Sequence, residues 1–132
     1  MNLYGIPNCG TVKKARLWLD GHGIGYEFHD FKKQAITEEI LAGWLKQVGW
    51  QKLLKKTGPT WGQLPDALKA SIKDNASALA LMLEKPNVIK RPVLTQHGKV
   101  LATGFSGRGD SAPAEYENLL ARFPPPDPAH EP

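Results

Sequence analysis

Residues 4–18 read YGIPNCGTVKKARLW, and they hold the single cysteine of the chain. Asn2-Leu3-Tyr4 is a short candidate strand, closed by Gly5 and Pro7. From Gly10 the period changes: Val12, Ala15, Trp18 and Leu19 recur at helical spacing, with Lys13, Lys14 and Arg16 between them. Gly21 and Gly23 end that helix. In the GYEFHDF stretch that follows, Tyr26 and Phe28 alternate with Glu27 and His29, which predicts a strand buried on one face. The opening is therefore strand–helix–strand, a βαβ unit with parallel strands and a right-handed crossover.

Beyond it, Thr37-Glu38-Glu39 has the composition of a helix start, a capping hydroxyl followed by acids in the first turn. Ile40, Leu41, Trp44, Leu45 and Val48 then form one apolar face. Further helical pieces are predicted over 51–56, 64–72 and 76–84, with Pro86 stopping the last, so residues 37–84 form a helical block. The period then returns to two. Residues 92–95 and 99–102 flank Gln96-His97-Gly98 and predict a β-hairpin. A glycine-rich loop, GFSGRGDSAP, leads to a final helix over 114–123. Five prolines in the nine residues after Phe123 predict a disordered or extended tail over 124–132. The order βαβ, helical block, ββα is that of an α/β protein with a thioredoxin-like fold. Two halves share one mixed sheet, residues 1–123 make a single domain, and 37–84 are an insertion.

Composition narrows the class. The chain has 132 residues, 41% apolar and 23% charged, the range of an ordinary globular protein. One cysteine excludes an internal disulfide framework, which fits a reducing compartment. The N-terminus lacks a charged stretch followed by an apolar one, and no apolar run reaches the roughly 20 residues of a membrane span. The expectation is a cytoplasmic protein with no membrane partner. The four histidines are dispersed, so no zinc site is expected. The net charge of +4 suits an anionic partner or a solubilising surface.

Cys9 falls where the first strand ends and the first helix begins. Ligands gather at such strand ends in open α/β sheets. A helix N-terminus offers unpaired N–H groups and a partial positive charge, which favour a thiolate. Lys13 lies one turn along, Thr11 offers a hydroxyl, and Gly10 permits close approach. The alternative, a small buried hydrophobe, fits poorly with flanking turn-formers and polar residues.

IPNCGTVKKARLWL, HDFKK, LLKKTG and RPVL together resemble the ArsC/Spx/YffB family of thioredoxin-fold proteins over about residues 2–122. The chain is most similar to its YffB-like branch. That family includes glutathione-dependent arsenate reductases and transcription-regulating relatives. The resemblance puts the catalytic cysteine on Cys9, an arginine on Arg91 and a cis-proline on Pro92. It implies no tightly bound cofactor, with glutathione as co-substrate and glutaredoxin as a possible partner. Asn8, Gly10, Thr11, Lys13, Lys55 and Pro92 are the candidate substrate- or glutathione-binding residues beside Cys9 and Arg91.

The departures sharpen the expectation. Arsenate reductases use three arginines around the thiol. One matches Arg91, another position holds Lys55 beside Lys56, and the third falls near Thr103-Gly104, where no arginine stands. The family's histidine four residues before the cysteine is Gly5 here. Lysine cannot reproduce bidentate guanidinium contacts to a tetrahedral oxyanion. A single thiol cannot close an internal disulfide, so turnover needs an outside thiol. The expected function is a glutathione-dependent monothiol reductase. The alternatives are arsenate reduction and, without enzymatic activity, binding of RNA polymerase by an Spx-like regulator. Arg108 in the glycine-rich loop is a further residue able to face the site.

Overall fold

The computed structural model describes residues 1–105 and 114–122. Four strands form one sheet in the order β2-β1-β3-β4: β1 (Asn2–Gly5), β2 (Glu27–Asp30), β3 (Val93–Gln96) and β4 (Lys99–Thr103). β1 runs parallel to β2 and antiparallel to β3, and β3 is antiparallel to β4. α1 (Gly10–Gly21) makes the crossover between the parallel pair. The helical block is α2 (Glu38–Val48), α3 (Trp50–Leu53), α4 (Pro59–Gly62), α5 (Asp66–Ser71) and α6 (Asn75–Glu84). A 3₁₀ turn at Pro86–Val88 leads into β3, and α7 (Ala114–Arg122) follows the hairpin. The mixed sheet with its helices is the thioredoxin-like arrangement read from the sequence.

Alternation along the strands feeds two apolar groups. Leu3 and Leu94 pack with Ala15, Leu19, Ile24, Tyr116 and Leu119 from α1 and α7. Val93 packs instead with the helical block, through Leu41, Trp44, Leu45, Leu53, Leu81 and Met82. The block is thus an integral part of the core, and its caps are the ones its sequence specifies. Thr37 accepts from the Ile40 N–H at 3.2 Å at the start of α2. Asp74 and Ser77 form a reciprocal capping box at the start of α6.

Several boundaries differ from the expectation. α3 ends at Leu53, and the next residue pairs with Ile89 in an antiparallel bridge, so Lys55 and Lys56 follow an extended segment and do not ride on a helix. The gain is a pair of backbone bonds that flank the bridge, from the Lys55 N–H to the Val88 carbonyl at 2.6 Å and from the Lys90 N–H to the Leu53 carbonyl at 2.7 Å. α4, with Pro59 in its first turn, interrupts what reads as loop. The hairpin turn is only two residues, His97 and Gly98, both at positive φ (52° and 78°), the geometry that matches strand twist. Gln96 is the last residue of β3, paired with Lys99. β2 is not apolar on one face alone: Phe28 packs toward Leu3, while His29 stacks on Tyr4 at 4.5 Å and bonds to Asn2 at 2.9 Å. The predicted tail (124–132) and Arg108 lie outside the described residues.

Candidate functional site

The parallel pairing of β1 and β2 and the antiparallel entry of β3 bring three chain segments to one end of the sheet. They are Ile6–Cys9 after β1, Phe31–Lys32 after β2, and Lys90–Pro92 before β3. Cys9 is the N-cap of α1, in extended conformation, and is half-buried. Its N–H donates to the Ile6 carbonyl at 3.1 Å and its carbonyl accepts from the Lys13 N–H at 3.0 Å, so a tight turn leads directly into the first turn of α1.

Burial acts to raise the thiol pKa, as it does for any group that ionises to an anion. The N–H of Val12, the Arg91 side chain and the N–H of Thr11 outweigh it, and the net effect holds Cys9 below the ordinary thiol value. None of the backbone groups makes a hydrogen bond of full geometry to the sulfur. They act as aligned dipoles at the start of a helix, favouring the ionised form.

Arg91 stands at the entry of β3. Its Nη1 donates to the Asn87 carbonyl at 3.2 Å, and its peptide bond to Pro92 is cis. Its Nε is buried without a partner. A buried guanidinium N–H left unpaired is costly, so this donor sits ready for an anion. The Pro92 carbonyl accepts from the Gly104 N–H at 2.8 Å, which ties the entry of β3 to the exit of β4. Gly104 itself has φ 76°, so the place where a third arginine was sought is a left-handed turn.

Beside Arg91 opens a compartment of about 220 Å³, lined by Ile6, Lys32, Lys55, Thr57, Asn87 and Arg91 among others. The Leu54–Ile89 bridge brings Lys55 into the lining of this compartment alongside Arg91. Through Ile6, Lys32, Thr60 and Asn87 it shares its wall with a larger cleft of about 590 Å³, which adds Phe31, Leu64, Glu84, Lys85 and Pro86.

Of the candidate residues, Thr11 and Arg91 act on Cys9, Pro92 follows Arg91, and Lys55 shares the lining of the compartment with Arg91, a lining that does not include Cys9. Thr11 acts on Cys9 through its backbone N–H, which favours the ionised thiol. Lys13 is exposed and is not among the groups acting on Cys9, so its part is the helical bond to the Cys9 carbonyl. Asn8 and Gly10 are exposed, and a Cβ at Gly10 would meet nothing within 4 Å. Gly10 leaves open surface next to the sulfur and is not required by packing. Gly5, by contrast, is required: a Cβ there would stand 2.7 Å from Val12 Cγ2. Lys32, Thr57, Thr60 and Asn87 were not singled out from sequence. Lys32 was within reach of the same rule that picked Cys9, because it follows the neighbouring parallel strand at the same sheet end.

The sequence profile of the ArsC family matches residues 4–108. The chain belongs to the ArsC family. It is 40% identical over 121 residues to an uncharacterized protein of Haemophilus influenzae, a match covering 92% of this chain and 99% of that one. The solved structure of a protein named YffB superposes with a TM-score of 0.73 at 46% identity, over 80% of this chain and 90% of the other. The chain is also 28% identical over 109 residues to the global transcriptional regulator Spx 1 of Lactococcus lactis, covering 80% of this chain and 82% of the regulator. Among the described residues, no helix is long and apolar enough to cross a membrane.

Proposed function

We propose that the chain is a monothiol reductase that works through Cys9 in a reducing, cytoplasm-like compartment and uses glutathione as co-substrate. The Cys9 thiolate attacks the glutathionyl sulfur of a mixed disulfide, RS–SG. The RS–SG bond breaks, a Cys9–SG disulfide forms, and RS⁻ leaves and takes up a proton. A second glutathione thiolate attacks the glutathionyl sulfur, giving oxidised glutathione and regenerating the Cys9 thiolate. The net change is RS–SG and one glutathione to RSH and oxidised glutathione. Arg91 holds the thiolate form and the incoming anionic group, and the Thr11 and Val12 N–H groups support it.

The observation that carries this reading is the place of Cys9 at the N-cap of α1, at the sheet end where Arg91 enters β3 with a buried Nε that lacks a partner. The cationic set favours thiol exchange over arsenate reduction, because only one guanidinium stands at the expected positions and Gly104 fills the turn where another would be. The test is the rate of iodoacetamide alkylation of Cys9 against pH, followed by intact mass, in the wild type and Arg91→Ala. A midpoint below that of a free thiol, moving upward in the mutant, is expected. A midpoint at or above the free-thiol value overturns the reading.

The similarity to Spx 1 motivates a second reading, binding of RNA polymerase by a surface that does not use the thiol. Cys9→Ser separates the two, since it abolishes reductase turnover and leaves polymerase binding intact.

A further inference from the structure

The two edges of the sheet differ. At β4 the side-chain amide of Gln47 stands where a neighbouring strand would. Its Nε2 donates to the Gly98 carbonyl at 2.8 Å and its Oε1 accepts from the Val100 N–H at 2.7 Å. Further along, the Glu115 carboxylate accepts from the Thr103 N–H at 3.3 Å. Side chains thus occupy backbone groups with which another strand would pair. β2 lies at the opposite edge, and among the described residues no strand flanks its outer side. The Glu27 and Phe31 N–H groups donate to the Met1 and Gly5 carbonyls at 2.8 and 2.9 Å, so the odd residues turn their backbone groups toward β1. Phe28 and Asp30 turn theirs outward. The Lys33 and Gln34 N–H groups take the Asp30 carbonyl, at 3.2 and 2.9 Å. The Phe28 N–H and carbonyl and the Asp30 N–H are left for a further strand.

The side chains along this edge are self-complementary. A second β2, antiparallel and related by a two-fold axis, meets the first in one of three central registers. Centred on Glu27, the pairing sets carboxylate against carboxylate. Centred on His29, it sets imidazole against imidazole. Centred on Phe28, it sets Glu27 of each copy opposite His29 of the other, with side chains 76% and 25% exposed, and the ring of Phe28 against its own equivalent. The same register brings Asp30 opposite Tyr26, whose hydroxyl accepts from the Arg16 Nε at 3.3 Å. Opposite charges therefore meet on both faces of the sheet, and only in this register.

We propose that β2 is a self-association edge, to which a second copy of this chain adds antiparallel in the Phe28-centred register. The contact is isologous and closes on itself. Two four-stranded sheets become one of eight, whose outer strands are both β4. Each is already stopped by Gln47 and Glu115, so growth ends at the dimer. Antiparallel addition points the two Cys9-bearing sheet ends in opposite directions, and the inference stands or falls independently of the thiol chemistry. With four residues of strand from each copy, the contact belongs to the weak class, below about 1,200 Å².

The test is sedimentation equilibrium of the full chain, with reductant present, from about 10 μM to about 1 mM. The buffer is at about pH 6, where a free imidazole is mostly protonated. Wild type, Glu27→Lys, His29→Glu and an equimolar mixture of the two variants are compared. Glu27→Lys sets lysine against histidine, and His29→Glu sets glutamate against glutamate. Only the mixture restores opposite charges at both pairs. The expected result is a monomer–dimer equilibrium in the wild type, weakened about tenfold in each variant alone, as for two like-charge cross-strand pairs, and regained in the mixture. His29 also stacks on Tyr4, so circular dichroism checks each fold. Glu27 is exposed, and Glu27→Lys carries the test alone if His29→Glu does not fold. A wild type that stays monomeric to about 1 mM overturns the inference. So does self-association that Glu27→Lys leaves unchanged, or a mixture of folded variants no tighter than either one. Loss of the dimer in Leu17→Ser but not in Glu27→Lys would assign it instead to the 72% exposed leucine on α1, and overturns the inference as well.

Discussion

Replacing Gly5 with alanine tests the packing that sets the turn before Cys9. The added Cβ would lie 2.7 Å from Val12 Cγ2 and 3.3 Å from Cγ1. Carbon contacts settle at about 3.5–4.0 Å, so β1 and α1 would have to separate by about 0.8 Å. Val12 is fully buried and β-branched, and it cannot turn its methyl groups aside freely. Overpacking of this kind costs about 1–3 kcal/mol, offset by roughly 0.4–1 kcal/mol from the stiffer unfolded chain, for a net loss of about 1–2 kcal/mol. Urea unfolding followed by circular dichroism should show the lower midpoint with an unchanged slope. The cycle with Val12→Ala isolates the cause. In that background the overlap is gone, and Gly5→Ala should be neutral or slightly stabilising, a coupling of about 1–2 kcal/mol. If Gly5→Ala stabilises the otherwise unchanged chain, or if the two substitutions add, the reasoning fails. The same overlap means that any larger side chain at position 5 would push β1 away from Val12 of α1, the residue whose N–H acts on Cys9.

Asp74 gives a pH-dependent test. Its carboxylate accepts from the Ser77 N–H and hydroxyl at the start of α6, and these bonds hold its pKa below the usual carboxylate value. A depressed pKa contributes stability that is present above the unfolded value and is lost as pH falls through the folded one. Asp74→Asn should therefore lower the urea midpoint near neutrality and match the wild type in strong acid, with the difference closing below about pH 4. A gap that persists unchanged in acid would show that charge plays no part. Lys56 is held between two indoles, 5.6 Å from Trp50 and 5.8 Å from Trp61. Lys56→Ala should cost about 0.5–1 kcal/mol for cation–π contacts at an exposed site and alter tryptophan fluorescence. If emission and urea midpoint are both unchanged, the ammonium is not held by the indoles.

The sequence was most informative where periodicity and chemistry agreed. Leu3 with Val12, Ala15 and Leu19 set the βαβ opening, and the strand-to-helix junction located Cys9. The helical block was visible from Leu41, Trp44 and Leu45, and the hairpin from its flanking alternation. What local pattern could not supply was long-range pairing. LLKK is an ordinary amphipathic fragment by composition, and only the meeting of Leu54 with Ile89 makes it extended. Gly5 reads as a turn residue in the chain, whereas its role is to admit Val12. Thr11 reads as a hydroxyl donor, whereas its peptide N–H is the group that acts on the sulfur. Lys32 sits in a lysine pair that composition alone assigns to solvent.

The Leu54–Ile89 bridge also has a kinetic meaning. Lys55 and Arg91 are 36 positions apart in the chain, and the backbone bonds that register them close a loop containing α4, α5 and α6. Long-range closures of this kind draw no support from local structure and are entropically costly until the enclosed segments dock. The βαβ unit can place Cys9 at the start of α1 early, while Lys55 and Arg91 share one compartment only once the whole block is home. Hydrogen exchange at the Lys55 and Lys90 amides would therefore serve as a clock for the docking of that block.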